Sequence, residues 1–119
     1  WLPIPARHRA SAVSRQLADR HSVLNAYRTF LRWRREHPAL RYGDIRFMDS
    51  PPDTLCFVRE HADESLLACF NFSSSTCYLR LSGWGRVEPV AGHCFDPCAL
   101  ARGRVGIPAF GAFFGCVKC

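Results

Sequence analysis

The sequence lacks any apolar run long enough to cross a bilayer, since such a helix needs about 20 consecutive apolar residues. It also lacks the charged, apolar and small-residue zones of a secretory signal peptide. These absences predict no membrane association and a cytoplasmic location. A complete (β/α)8 barrel needs roughly 250 residues, so the 119 residues exclude a whole catalytic domain of that kind.

Lysine is almost absent, because Lys118 is the single lysine beside 15 arginines. Residues 1–46 hold ten arginines and three acidic residues, whereas residues 47–119 hold six basic and seven acidic residues, so the net charge of +6 comes from the first part. Arginine suits bidentate contacts to phosphates, but genome composition produces the same bias. A nucleic-acid-binding face combines clustered basic residues with exposed aromatic residues. The arginine pattern alone gives little support for such a face, so we expect no nucleic-acid partner.

The seven cysteines are an odd number, so complete internal pairing is impossible. Without a secretory signal, we interpret most of them as reduced, buried thiols that act as small hydrophobic residues in strands. The alternative is a zinc site that joins four thiolates next to His93, namely Cys94, Cys98, Cys116 and Cys119. The C-x3-C spacing of the first pair and the terminal position of the second argue against it. The prediction is no metal and no cofactor.

The first part of the chain predicts an arm and one long helix. Residues 1–19 carry Pro3 and Pro5 without a sustained period, which favours an irregular arm. An amphipathic helix follows, with Asp19 as its cap, and Pro38 ends it. Its apolar stripe repeats at spacings of three and four residues and consists of Val23, Ala26, Tyr27, Phe30, Trp33 and His37, widened by Leu24 and Leu31. Because the chain has no second long helix, this stripe packs either on the β-region or on a larger structure whose remainder the chain lacks.

From Ile45 onward the hydrophobic period falls towards two, which predicts short strands separated by turns. We expect strands at 45–49, 55–60, 66–72, 76–81, 86–90, 104–107 and 112–117. Seven such strands favour an antiparallel β-sandwich. Residues 66–72 are apolar at both alternating sets of positions, which predicts a central strand. The expected fold class is mainly β, with the arm and the helix preceding the sandwich.

The sequence offers no catalytic constellation. The ten acidic residues mostly occupy turns or strand ends, and none forms an obvious pair of the kind that glycoside hydrolysis needs. The histidines lack zinc-protease spacing, and there is no nucleophile elbow or phosphate-binding glycine loop. Trp84 lies between two glycines in a predicted turn, so it is a candidate platform for stacking a sugar ring. We predict no catalytic residue and one substrate-binding candidate, Trp84.

Several stretches carry detailed motifs. They read WLPIP at 1–5, DRHSVLNAYR at 19–28, FLRWRREHPAL at 30–40, LLACFNFS at 66–73 and PAFGAFFG at 108–115. In this order they resemble the C-terminal end of bacterial α-glucosidases of the α-amylase superfamily. The resemblance implies that residues 1–42 are the tail of a catalytic barrel, with its proline arm and final helix, and that residues 43–119 are a C-terminal β-sandwich domain.

The resemblance also limits the expected function. The family's catalytic carboxylates lie upstream of the segment that matches Trp1, so none is carried over to this chain. It implies a non-catalytic portion of an α-glucosidase. The parent enzyme would hydrolyse α-glucosidic bonds, and only the parent would bind the α-glucoside. The implied partner is the missing barrel, or a second copy through the helix stripe. The alternative is a free-standing carbohydrate-binding or protein-interaction module, for which Val23, Tyr27 and Phe30 would be buried on this chain's own sandwich.

Overall fold

The computed structural model describes residues 3–118 and contains four helices before the strands. The helices are α1 (Ala6–Ala10), α2 (Val13–Ala18), α3 (Val23–Glu36) and α4 (Pro38–Tyr42). No helix in this part of the chain combines the length and apolar character that a membrane span requires.

Eight strands follow and form two antiparallel sheets. They are β1 (Asp44–Met48), β2 (Thr54–His61), β3 (Glu64–Asn71), β4 (Cys77–Arg80), β5 (Arg86–Pro89), β6 (Ala99–Ala101), β7 (Arg104–Ile107) and β8 (Ala112–Lys118). The larger sheet has the order β1-β2-β3-β8-β5, and the smaller one has the order β4-β7-β6. The prediction of a mainly β fold with an antiparallel sandwich is confirmed.

Strand β3 lies in the middle of the larger sheet, between β2 and β8, as its two-sided apolar pattern predicts. One set of its side chains, which includes Leu67 and Cys69, packs against the smaller sheet. The other set, which includes Leu66 and Ala68, packs against α3 and α4. The larger sheet is therefore covered on both faces, by strands on one and by helices on the other.

Two short helices, α1 and α2, occupy the segment for which an irregular arm was predicted. Pro5 lies just before α1 as its N-cap, so no proline interrupts residues 6–18. Alanine, arginine and leucine in this segment are good helix formers, and they form single helical turns once the prolines have been passed. The arm prediction is corrected on this point.

Three further features differ from the predicted ones or add to them. Ser22 rather than Asp19 caps α3, because the Ser22 side chain accepts a hydrogen bond from the backbone N–H of Asn25 at 3.2 Å, while Asp19 accepts one from His21. Pro38 follows the end of α3 as predicted, but it also begins α4, where its fixed φ suits the first helical position. Strand β6 was not predicted, since three exposed residues carry no alternation. The division between residues 42 and 43 stays a prediction.

Candidate functional site

An aromatic cluster holds α3 to the larger sheet. Trp33, which is 4% exposed, lies at its centre. Its ring centroid is 4.7 Å from that of Phe114 on β8, 5.5 Å from that of Phe30 and 5.4 Å from that of His93. The C-terminal half of α3 is therefore anchored on this chain's own sandwich.

The N-terminal half of the same helix stripe is uncovered. Val23 is 80% exposed and Tyr27 is 60% exposed, whereas Phe30 is half-buried. Together with nearby residues of the 90–98 loop they border an open groove of about 330 Å³, which is lined by Val23, Ala26, Tyr27, Phe30, Cys94 and Phe95. We call this groove and its rim the α3 patch. α2 covers one side of the start of α3, where Ser22, Leu24 and Asn25 bond to Gln16. The side that carries Val23 and Tyr27 is left exposed, so this chain's own sandwich covers only part of the stripe.

A second apolar surface lies at the edge strand β1. Phe47 is 65% exposed and Ile45 is also exposed, and both occupy the helix-side face of the sheet. The ring centroid of Phe47 lies 6.0 Å from that of Phe57 on β2, and Phe57 in turn stacks on Phe70. This row of rings, the β1 patch, runs beyond the area that α3 and α4 cover.

The chain also exposes more surface than a compact protein of its mass. Its accessible surface is 8567 Å², whereas a folded monomer of 13.5 kDa exposes about 6500 Å². Its radius of gyration is 17.1 Å, compared with about 13.5 Å for a compact domain of this length. The excess of about 2000 Å² is the size of one side of a large, permanent interface.

Carboxylates do not form a buried pair. All ten lie within the described residues; eight are exposed, and only Glu64 and Glu88 are half-buried. Both of these have structural partners. Glu64 bonds to His37 Nδ1 at 2.6 Å and accepts from the backbone N–H of Ala39 at 2.7 Å, and Glu88 pairs with Arg86 at 3.0 Å. A buried, protonated acid facing a second carboxylate, as glycoside hydrolysis requires, is not found within residues 3–118.

The cysteines considered as zinc ligands are separated by the larger sheet. Cys98 packs against the core between the two sheets and its thiol donates to the Ala112 carbonyl at 3.4 Å, whereas Cys116 lies on the helix-side face opposite Leu66. Burial raises the pKa of Cys94 and of Cys98, which disfavours the thiolate form that zinc needs. No group of three potential metal ligands occurs among the described residues. Cys119 lies outside them, so the absence of a metal site stays a prediction.

Trp84 lies in the turn before β5 and is half-buried. Its side chain packs against the core between the sheets and borders a shallow groove together with Met48 and Val117. Part of the indole is therefore committed to packing within the sandwich. Its role in stacking a sugar stays a prediction.

Comparison with known proteins gives consistent relatives, although no protein-family model matches the sequence. A probable α-glucosidase of Rhizobium meliloti (strain 1021) is 40% identical over 114 residues, which are 96% of this chain and 20% of that protein. The solved structure of an α-glucosyl transfer enzyme superposes with a TM-score of 0.90 at 40% identity, over 99% of this chain and 22% of its own. The chain is homologous to the C-terminal region of α-glucosidases of the α-amylase superfamily.

Two further relatives support this assignment. An oligo-1,6-glucosidase of Bacillus sp. (strain F5) is 29% identical over 68 residues, which are 56% of this chain and 13% of that protein. The trehalulose synthase from Pseudomonas mesoacidophila MX-45 superposes with a TM-score of 0.80 at 25% identity, over 99% of this chain and 22% of its own. The chain thus spans between 13% and 22% of the length of these relatives.

Sequence reasoning missed the role of Asn71 in this α-glucosidase homologue. Asn71 lies at the end of β3 and is 2% exposed. Its side-chain amide donates to the carbonyls of Ser75, Ile107 and Pro108 at 2.7, 3.2 and 2.9 Å, and its carbonyl oxygen accepts from the backbone N–H of Ser73 at 3.0 Å. It therefore joins the end of β3 to the loop that leads into β8. Only its place inside an apolar strand signalled that it would be buried.

Proposed function

We propose that this chain is the non-catalytic C-terminal portion of an α-glucosidase, in which it packs against the catalytic barrel and stabilises it. The parent enzyme would hydrolyse α-glucosidic bonds by the retaining mechanism of its family, with two carboxylates on the barrel. This chain would supply the last barrel helix, α3, and the sandwich that follows it.

The observation that carries this proposal is the surplus surface of about 2000 Å² relative to a compact monomer. The exposed surface includes the apolar α3 patch and β1 patch, and monomeric proteins rarely expose apolar patches larger than a few hundred Å². A docked barrel would remove these patches from water. A free-standing module would instead need the whole stripe of α3 buried on its own sandwich.

The exposed or structurally engaged state of the ten carboxylates supports the view that this chain carries no catalytic residue. The Glu64 carboxylate is used to hold the junction between α3 and α4, and no other carboxylate except Glu88 is even half-buried. The α-glucoside would then be bound by the parent's barrel. The six described cysteines are unpaired, which favours a reducing compartment, so the proposal places the protein in the cytoplasm.

A domain graft tests the proposal. The matching fifth of the Rhizobium meliloti relative would be replaced by this chain, and the chimera compared with the native relative and with a version that lacks the segment. We expect the chimera to be soluble and to hydrolyse an aryl α-glucoside, and the truncated version to aggregate. Activity of the truncated version equal to that of the native relative would contradict the stabilising role.

A pair of tyrosine variants then locates the docking face. Tyr27→Asp changes an exposed ring of the α3 patch, while Tyr78→Asp changes an equally exposed ring on β4, in the smaller sheet on the far side of the sandwich. In the chimera, Tyr27→Asp should lower the yield of soluble enzyme at least tenfold, whereas Tyr78→Asp should have little effect. Equal yields for the two variants would show that the α3 patch does not dock the barrel.

A further inference from the structure

Four cysteines converge on the core between the two sheets. Cys56 on β2 and Cys69 on β3 lie within it and are 2% and 0% exposed, whereas Cys98 packs at its margin. Cys77 on β4 is opposite the buried Ile107, which places its side chain on the same inner side. None of these thiols takes part in the proposed docking or in glycoside hydrolysis, so their grouping calls for a separate explanation.

Cys56 and Cys69 are directly opposite each other in the antiparallel pairing of β2 with β3. Opposite residues in such a pair have Cα atoms about 4.5–5.5 Å apart, and a disulfide spans Cα distances of about 4.4–6.8 Å. Cys77 belongs to the other sheet, and packed sheets lie about 10 Å apart, which is beyond the reach of a disulfide. Geometry therefore favours the directly opposed pair of Cys56 and Cys69 over a pair that includes Cys77.

The two thiols also perturb each other. Interaction with Cys69 lowers the pKa of Cys56, whereas interaction with Cys56, together with burial, raises the pKa of Cys69. The lowered pKa favours Cys56 over Cys69 as the attacking sulfur.

We propose that Cys56 and Cys69 form a cross-strand disulfide that locks the β2–β3 hairpin when the chain meets an oxidising small-molecule disulfide. The Cys56 thiolate attacks one sulfur of the oxidant, breaks its S–S bond and releases one thiolate. The Cys69 sulfur then displaces the second thiol as it forms the Cys56–Cys69 bond, and its proton passes to a departing thiolate. Two electrons and two protons leave the protein, and the oxidant becomes two thiols.

The disulfide would act as a redox-dependent staple of the sandwich. It would link β2 to β3, the central strand of the larger sheet, and reduce the conformational freedom of the unfolded chain. In a reducing compartment the pair stays as two thiols, and it closes only when disulfide oxidants accumulate and the sheets open enough to admit them. This inference rests on residues inside the sandwich and does not depend on the proposed function.

Peptide mapping of the full chain tests it. The protein would be incubated with glutathione disulfide a few degrees below its Tm, so that the sheets open transiently, and remaining thiols would be alkylated before digestion under non-reducing conditions. We expect a cross-linked peptide that contains Cys56 and Cys69, lighter by two hydrogens, and a Tm raised by about 5–10 °C. Linkage of Cys56 to Cys77 or Cys98, alkylation of both thiols after oxidation, or an unchanged or lower Tm would each overturn the proposal.

Cysteine variants provide the matched controls. Cys56→Ala should abolish both the cross-link and the oxidant-dependent rise in Tm, whereas Cys94→Ala, at an exposed thiol, should preserve both. Cys69→Ala should behave as Cys56→Ala does. If neither core variant folds, the cross-link map of the unaltered chain still decides the outcome.

Discussion

The two faces of the larger sheet differ in how completely this chain covers them. Towards the smaller sheet, residues of both sheets interlock, and Leu67, Val105 and Phe113 are all buried. Towards the helices, Trp33 and Phe114 are buried at the centre, but the margins at Tyr27 and Phe47 are exposed. The strand-covered face is thus a finished hydrophobic core, and the helix-covered face is only part of one.

This difference separates two sources of stability. Burial of apolar surface contributes about 25 cal/mol per Å² removed from water. For the strand-covered face, that contribution comes entirely from this chain. For the margins of the helix-covered face, it would appear only when another body covers them, so substitutions there should affect assembly more than folding.

The largest expected effect comes from matched phenylalanines on the two faces. Phe113→Ala removes a ring that is 3% exposed between the sheets and should lower the free energy of unfolding by about 3–5 kcal/mol. Phe47→Ala, at a ring that is 65% exposed, should cost less than about 1 kcal/mol, mostly from the lost contact with Phe57. Urea unfolding of the two variants measures the difference, and similar losses would refute the contrast between the faces.

A smaller effect is expected at Glu64, which ties the helices to the sheet. Its carboxylate joins His37 and the backbone N–H of Ala39 to the start of β3. Glu64→Ala leaves that N–H without its charged acceptor and should cost about 1.5–3 kcal/mol in urea unfolding. The hydrogen exchange of Ala39 should rise with it.

Glu60 provides the control for this prediction, because it is an exposed glutamate on the neighbouring strand whose ion pair with Arg46 spans 3.5 Å. Glu60→Ala should cost less than about 0.5 kcal/mol. If Glu60→Ala proves as costly as Glu64→Ala, the clamp between helix and sheet has no special role.

The sequence predicted the sandwich well because a strand buried on one face shows a period of two, and a strand buried on both faces, such as residues 66–72, shows a continuous apolar run. All seven predicted strands are present, and residues 104–107 match the observed bounds of β7. The same reasoning could not separate the buried Trp33 from the exposed Tyr27. Both belong to one helical stripe, and such a stripe records the environment of a helix in the whole protein rather than in this chain.

The missed features depend on contacts between residues distant in the sequence. Asn71 is satisfied by the carbonyls of Ile107 and Pro108, more than 30 positions away, so no local pattern could reveal its role. Glu64 reads as an ordinary turn residue, and its partner His37 lies between α3 and α4, before the sandwich. The motif resemblance located the chain within its family, but the division of the helix into covered and uncovered halves required the structure.

The smallest expected effect concerns pH and tests whether the centre of the helix-covered face is dry. Burial lowers the pKa of His93, and a bond to the Val90 carbonyl opposes this in part. The ring lies against Trp33 and Phe114, and its Nδ1 accepts from the backbone N–H of Phe95 at 3.2 Å, so it is held in the neutral form. With the folded pKa below the unfolded value of about 6.5, the unfolded chain binds more protons in acid. Stability should therefore be full above about pH 6.5 and decline as the pH falls towards the folded pKa.

His93→Gln should flatten the dependence of Tm on pH between about 7.5 and 5.5, whereas His61→Gln, at an exposed ring, should retain it. A dependence that persists unchanged in His93→Gln would mean that the cluster around Trp33 is open to water.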